Sequence, residues 1–82
     1  MITTIKTSRR DYELTNVGEL KKVNHGLVDY LRSAEIIENG YTIPCTVGYI
    51  ERSDNTIEPT HIFINTGVTD NGYCYYEETI EL

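Results

Sequence analysis

The chain has 82 residues, 39% of them hydrophobic, and a net charge of −6, which fits one domain around one core and leaves little room for a deep catalytic cleft. Its apolar runs are as short as Ile62-Phe63-Ile64, too short to span a bilayer. The opening Met1-Ile2-Thr3-Thr4-Ile5-Lys6 lacks the apolar region of a secretion signal, so the expected location is the cytoplasm.

Residues 2–7 are rich in β-branched side chains and read as a first strand. A polar turn, Ser8-Arg9-Arg10-Asp11, follows, and Tyr12 and Leu14 alternate with charged neighbours in a segment that extends or pairs with that strand. Asn16 and Glu19 have the spacing of a loose capping box. Val17, Leu20, Val23, Leu27, Leu31 and Ala34 then recur at steps of three and four, the stripe of an amphipathic helix. With Asn39-Gly40 as its stop, the helix is expected over residues 17–37.

Everything after Gly40 reads as strand. Tyr41, Ile43, Cys45, Val47 and Tyr49 share one parity, Ser53-Asp54-Asn55-Thr56 is a turn, and a strand over 57–66 follows. A two-residue Asp54-Asn55 loop pairs Val47 with Ile62 and Cys45 with Ile64, a self-consistent apolar match. After a second turn at Thr69-Asp70-Asn71-Gly72, a three-residue loop with a bulge pairs Ile64 with Ile80 and Ile62 with Leu82. The expected fold is α+β, a single domain over residues 1–82 in the order β-α-β-β-β. One helix covers one face of a mostly antiparallel sheet, above Ile43, Cys45, Val47, Tyr49, Ile62, Ile64, Tyr76, Ile80 and Leu82.

The other sheet face is then open. It carries Ile50, His61, Phe63, Tyr73, Tyr75, Glu77 and Glu81, so Ile50, Phe63, Tyr75 and His61 are expected to be at least partly exposed. Aromatic side chains ringed by acids have the make-up of an interface core with a polar rim.

Charge supports a protein partner. Residues 1–32 carry six bases and four acids, and residues 33–82 carry Arg52 alone against nine acids. Phosphates need cations opposite them, so direct nucleic-acid binding is disfavoured and a basic protein surface is favoured. Phe63, Tyr73, Tyr75 and His61 are the expected anchors, and Glu51, Glu58, Glu77, Glu78 and Glu81 the steering charges.

No nucleotide-binding glycine pattern, nucleophile elbow or zinc-binding helix motif is present. His25 and Asp29 have the spacing of an ordinary pair on a helix face. Val68 to Gly72 lacks the early acids and the bidentate Glu of a calcium loop. Arg9 and Arg10, near Lys6, form a small solvated basic spot. Cys45 and Cys74 lie in no ligand spacing and read as free thiols. No metal, cofactor or catalytic residue is expected. The functional expectation is a small acidic inhibitor or regulator of a larger protein, in the manner of the small acidic inhibitors that phages and mobile elements encode, some of which mimic nucleic acid. The alternatives are a homodimeric assembly subunit that uses the open face on itself, and a small enzyme or ligand-binding domain.

Overall fold

The segment with a helical stripe folds instead as a loop and a central strand. The computed structural model describes residues 3–24, 26–64, 67–68, 74–75 and 78–82, and among them there is no helix, so the helix-on-sheet expectation is overturned by a curled antiparallel sheet. The strands are β1 (Thr3–Lys6), β2 (Asp11–Thr15), β3 (Lys21–Lys22), β4 (Tyr30–Glu38), β5 (Tyr41–Glu51), β6 (Ile57–Ile64), β7 (Gly67–Val68), β8 (Cys74–Tyr75) and β9 (Glu78–Glu81). Seven strands form the main sheet in the order β1-β2-β4-β5-β6-β9, with β3 also pairing β4, while β7 and β8 pair with each other. No helix long and apolar enough to cross a membrane is present among the described residues.

Strand β4 forms because its far end is a hairpin turn. Asn39 and Gly40 both take positive φ, 48° and 85°, the two-residue geometry whose twist matches paired strands. The turn locks β4 to β5 from Glu38↔Tyr41 to Tyr30↔Tyr49. Along β4, Ala34 and Ile36 are buried while Ser33 is exposed, the period-two pattern of a strand. A helix here would also have had to carry Gly18 and Gly26, each costing about 1 kcal/mol relative to Ala.

Residues 16–29 run back along β4 and then cross the sheet. Asn16 takes φ 51° and its amide donates to Glu35, so it kinks the chain rather than capping a helix. The Gly18 N–H donates to the Ser33 carbonyl at 2.7 Å. A Cβ on Gly18 would lie 2.6 Å from Ser33 Oγ, so the chain approaches β4 too closely there for a side chain. Val17 and Leu20 pack against the core, but Leu27 is 55% exposed. The helical stripe therefore never assembles.

The β5–β6 register matches the sequence expectation through two compensating departures. The loop holds three residues, not two: the Arg52 N–H donates to the Thr56 carbonyl, and Asn55 turns at φ 68°. This shifts the pairs nearest the loop by one. A bulge that leaves Thr60 unpaired opposite Gly48/Tyr49 shifts them back. Beyond it Val47 faces Ile62 and Cys45 faces Ile64. On β6–β9 the expected pairs are two residues out of step, since Ile62 meets Ile80 and Ile64 meets Glu78. A slip of two preserves the face, so Ile80 still points to the core side.

The inner face of the curl holds the main core. Leu14, Ile36, Val47 and Ile62 are almost completely buried, with Ala34, Cys45 and Tyr49 beside them. Each such large aliphatic contributes about 1.5–3 kcal/mol by leaving water. The outer face is open only in part: Ile50 is exposed and His61 half-buried, as expected, but Phe63 is not exposed. Phe63 is only 1% exposed and Val28, from the crossing loop, only 3%. A Cβ on Gly48 would lie 2.6 Å from Val28 Cγ1 and 3.1 Å from Phe63 Cε2, so these two side chains meet above Gly48. Val28, in the segment expected to be helical, thus covers Gly48 and Phe63 on the face that was expected to be bare.

Candidate partner-binding surface

The sheet order follows the chain order, apart from the short strands β3, β7 and β8, so an uneven charge along the sequence becomes an uneven charge across the sheet. The β5, β6 and β9 side, with its connecting turn, carries Glu51, Asp54, Glu58, Glu78 and Glu81 against Arg52 alone. Residues 3–24 on the other side carry Lys6, Arg9, Arg10, Lys21 and Lys22 against Asp11, Glu13 and Glu19.

The β5–β6 hairpin end gathers two of the expected steering acids with two apolar side chains. Glu51 is exposed and Glu58 half-buried. Ile50 and Ile57 are each 38% exposed. Ile50 was expected at the surface, and Ile57 is exposed as well; because Ile50 pairs with Glu58 and Glu51 with Ile57, each isoleucine sits beside a glutamate, on opposite faces of the hairpin end. Glu58 is held by Arg52. The Asp29 carboxylate accepts the Glu51 N–H at 2.9 Å, which ties the crossing loop to the hairpin. Asp54 accepts the Thr56 hydroxyl at 2.6 Å and the Thr56 N–H at 3.1 Å, and these bonds lower its pKa. Ile57, Asp29 and Asp54 were missed as surface-forming residues. The signal for Asp54 was the Asp-x-Thr spacing of a side-chain-stabilised turn.

The remaining expected residues divide. Glu78 and Glu81 are exposed on β9, with no ion-pair partner among the described residues. His61 is half-buried, lies parallel to the Phe63 ring with centroids 5.9 Å apart, and meets Thr60 Oγ1 at 2.9 Å. Phe63 is buried and offers a partner no exposed ring, which corrects its place as an exposed anchor. Tyr75 lies on β8, paired with Gly67. Tyr73 and Glu77 fall outside the described residues, as do His25 and Tyr76.

Beside β9 the curl leaves a cleft. A groove of about 440 Å³ has Ile43, Ile64 and Ile80 in its lining and Arg9, Glu38 and Glu78 among its polar residues. A smaller hollow of about 260 Å³ continues it between Thr7–Arg9 and Glu81–Leu82. Arg10 closes the far side, bonded to Glu38 at 2.9 Å and lying over the Tyr12 ring at 4.6 Å. The carboxylate beside it raises the Arg10 pKa.

The inner face holds little chemistry. Burial, and then the charge of Glu35, push the Cys45 thiol up to about 11, so it stays protonated and unreactive near neutral pH. Glu35 is lowered by hydrogen bonds from Asn16 and then Thr42. Arg32 lies 5.7 Å from the Tyr49 ring centroid, and its Nε finds no hydrogen-bond partner among the described residues. No group of three potential metal ligands occurs among the described residues. No family model matches the chain, and neither a curated protein nor a solved structure is similar to it.

Proposed function

We propose that this chain is a small protein-binding domain that inhibits or regulates a larger protein by docking its acidic half on a basic surface. The observation that carries this reading is the segregation of charge across the sheet. Five acids face one base over β5, β6 and β9, and Ile50 and Ile57 stand exposed among them. On each face of the hairpin end an isoleucine beside a glutamate supplies an apolar contact with a charged rim, and exposed carboxylates steer a cationic partner during encounter. The role does not use Phe63, whose burial places it in the fold instead. Ile50 and Ile57 take over as anchors.

The test is capture by the tagged full-length chain from its native cytosol at low and high salt, read by mass spectrometry. A basic protein retained at low salt and released at high salt is expected. Charge reversal at Glu51 or Glu81 slows its association. Retention indifferent to salt and to both reversals overturns the proposal.

A further inference from the structure

We infer that the outer edge of β9 is a docking rail for an extended basic segment of the partner, which joins the sheet as an added strand. This rests on the reading of the acidic half as the partner surface, and it names the mode of contact.

The first observation is backbone geometry. Strand β9 ends the main sheet, with β6 as its one neighbour among the described residues. The Leu82 N–H donates to the Thr60 carbonyl at 3.0 Å. In an antiparallel ladder successive residues point their N–H and C=O to opposite sides. Ile80 therefore turns its backbone groups to β6, as Leu82 does, and Thr79 and Glu81 turn theirs away. Two donors and two acceptors face away from β6 with no backbone partner among the described residues, and a strand edge of this kind pairs readily with another chain.

The second observation is space. The smaller hollow lies between Glu81–Leu82 and the β1–β2 turn at Thr7–Arg9, and the larger groove opens on the inner face of the curl, with Glu78 and Ile80 of β9 in its wall. The side chains along β9 then say which strand fits. Ile80 pairs with Ile62 and shares its inward parity with Glu78, while Thr79 and Glu81 face the outer side. An incoming strand is matched best by a basic residue opposite Glu81, an apolar one opposite Ile80 and a basic one opposite Glu78. Neither glutamate has an ion-pair partner among the described residues, so a lysine or arginine there meets an uncommitted carboxylate. Opposite charges facing each other across strands are favourable and like charges are not. The same two glutamates disfavour pairing between the β9 edges of two copies.

The probe is an acetylated decapeptide containing Lys-Val-Thr-Lys, with a Glu-Val-Thr-Glu counterpart, titrated into the full-length chain and followed by amide hydrogen exchange. Exchange at the Thr79 and Glu81 N–H groups slows by about tenfold when the lysine peptide is near ten times its Kd, and the glutamate peptide has no effect. Thr79→Pro deletes one outward donor and leaves the β6 ladder intact, as proline is tolerated on the open side of an edge strand. It abolishes this protection, while the Val47 and Ile62 methyl signals stay native. Should Thr79→Pro disturb the fold, Glu81→Lys provides the same test at an exposed site by weakening lysine-peptide binding. Unchanged binding by Glu81→Lys, or by a natively folded Thr79→Pro, overturns the inference, as does protection on β1 in place of β9. Self-association of the peptide-free chain that Thr79→Pro removes also overturns it, because a second copy then occupies the rail. A salt-sensitive partner captured by a chain that ignores the peptide leaves the protein-binding role standing and removes the strand-addition mode alone.

Discussion

Strands β5 and β6 build two clusters from alternate residues of the same chain, and the two differ in what covers them. On the inner face Cys45, Val47, Ile62 and Ile64 meet the curl of the sheet itself, with Ala34 and Ile36 from β4. On the outer face Gly48 and Phe63 meet Val28, carried in by the segment that follows β3. The inner cluster follows from alternation alone. The outer one exists because residues 16–29 do not form a helix, and its apolar area is buried by a contact remote in sequence. A buried aromatic on the face opposite the main core therefore marks a segment that crosses the sheet.

Phe63, the ring at the centre of the outer cluster, is the costliest to remove. Phe63→Ala should destabilise the chain by about 3–5 kcal/mol in denaturant unfolding, the range for a fully buried aromatic. A loss under about 1 kcal/mol would mean that the outer cluster is not packed, and the two faces would then differ in kind. Next is Gly48→Ala, where the new methyl meets Val28 and Phe63 at distances that demand a shift. Overpacking of this sort costs about 1–3 kcal/mol. The same substitution in a Val28→Ala background should cost less, and a double-mutant cycle reads the coupling directly. Equal costs in both backgrounds would place Val28 away from Gly48.

The inner face is sharpened by Cys45. In a Cys74→Ser variant, alkylation of the native chain at pH 8 should be slow and should become fast on unfolding, because the thiol is buried and raised to about 11. Its folded pKa lies above its unfolded value, so its contribution to stability is complete below the ordinary thiol range. That contribution is lost as pH rises from about 9, where the unfolded thiol ionises, toward 11. Rapid native alkylation would show that the inner cluster opens to solvent. The smallest effect belongs to the surface carboxylates Glu35 and Asp54. Both are lowered by hydrogen bonds, so they stabilise the fold above their unfolded pKa and lose that contribution as pH falls through the folded value. Glu35→Gln and Asp54→Asn should each flatten the acid limb of the stability curve slightly.

Much of the C-terminal half was legible in the residues. The parity of Cys45, Val47, Ile62 and Ile80 places them on the core face, because a period-two pattern survives a loop that is one residue too long once a bulge offsets it. The error lay in residues 17–37. Val17, Leu20, Val23, Leu27, Leu31 and Ala34 keep helical spacing, but Ala34 and Ile36, with Ser33 before them and Glu35 between, also alternate. Only the tertiary pairing with β5 decides between the two periods. The deciding local signal was Asn39-Gly40, read as a helix stop although that dipeptide between Glu38 and Tyr41 favours a hairpin turn more strongly. The charge segregation was legible because the main sheet is laid down in nearly chain order. The burial of Phe63 was not, since nothing in 23–29 announces that Val28 reaches it.

Residues 30–38 are a strand at the middle of the sheet, and backbone carbon chemical shifts with cross-strand proton contacts decide the point. Extended shifts throughout Tyr30–Glu38, with contacts joining Ala34 to Cys45 and Arg32 to Val47, are the predicted result. Helical shifts running continuously from Val17 to Ile37, without those contacts, would contradict it.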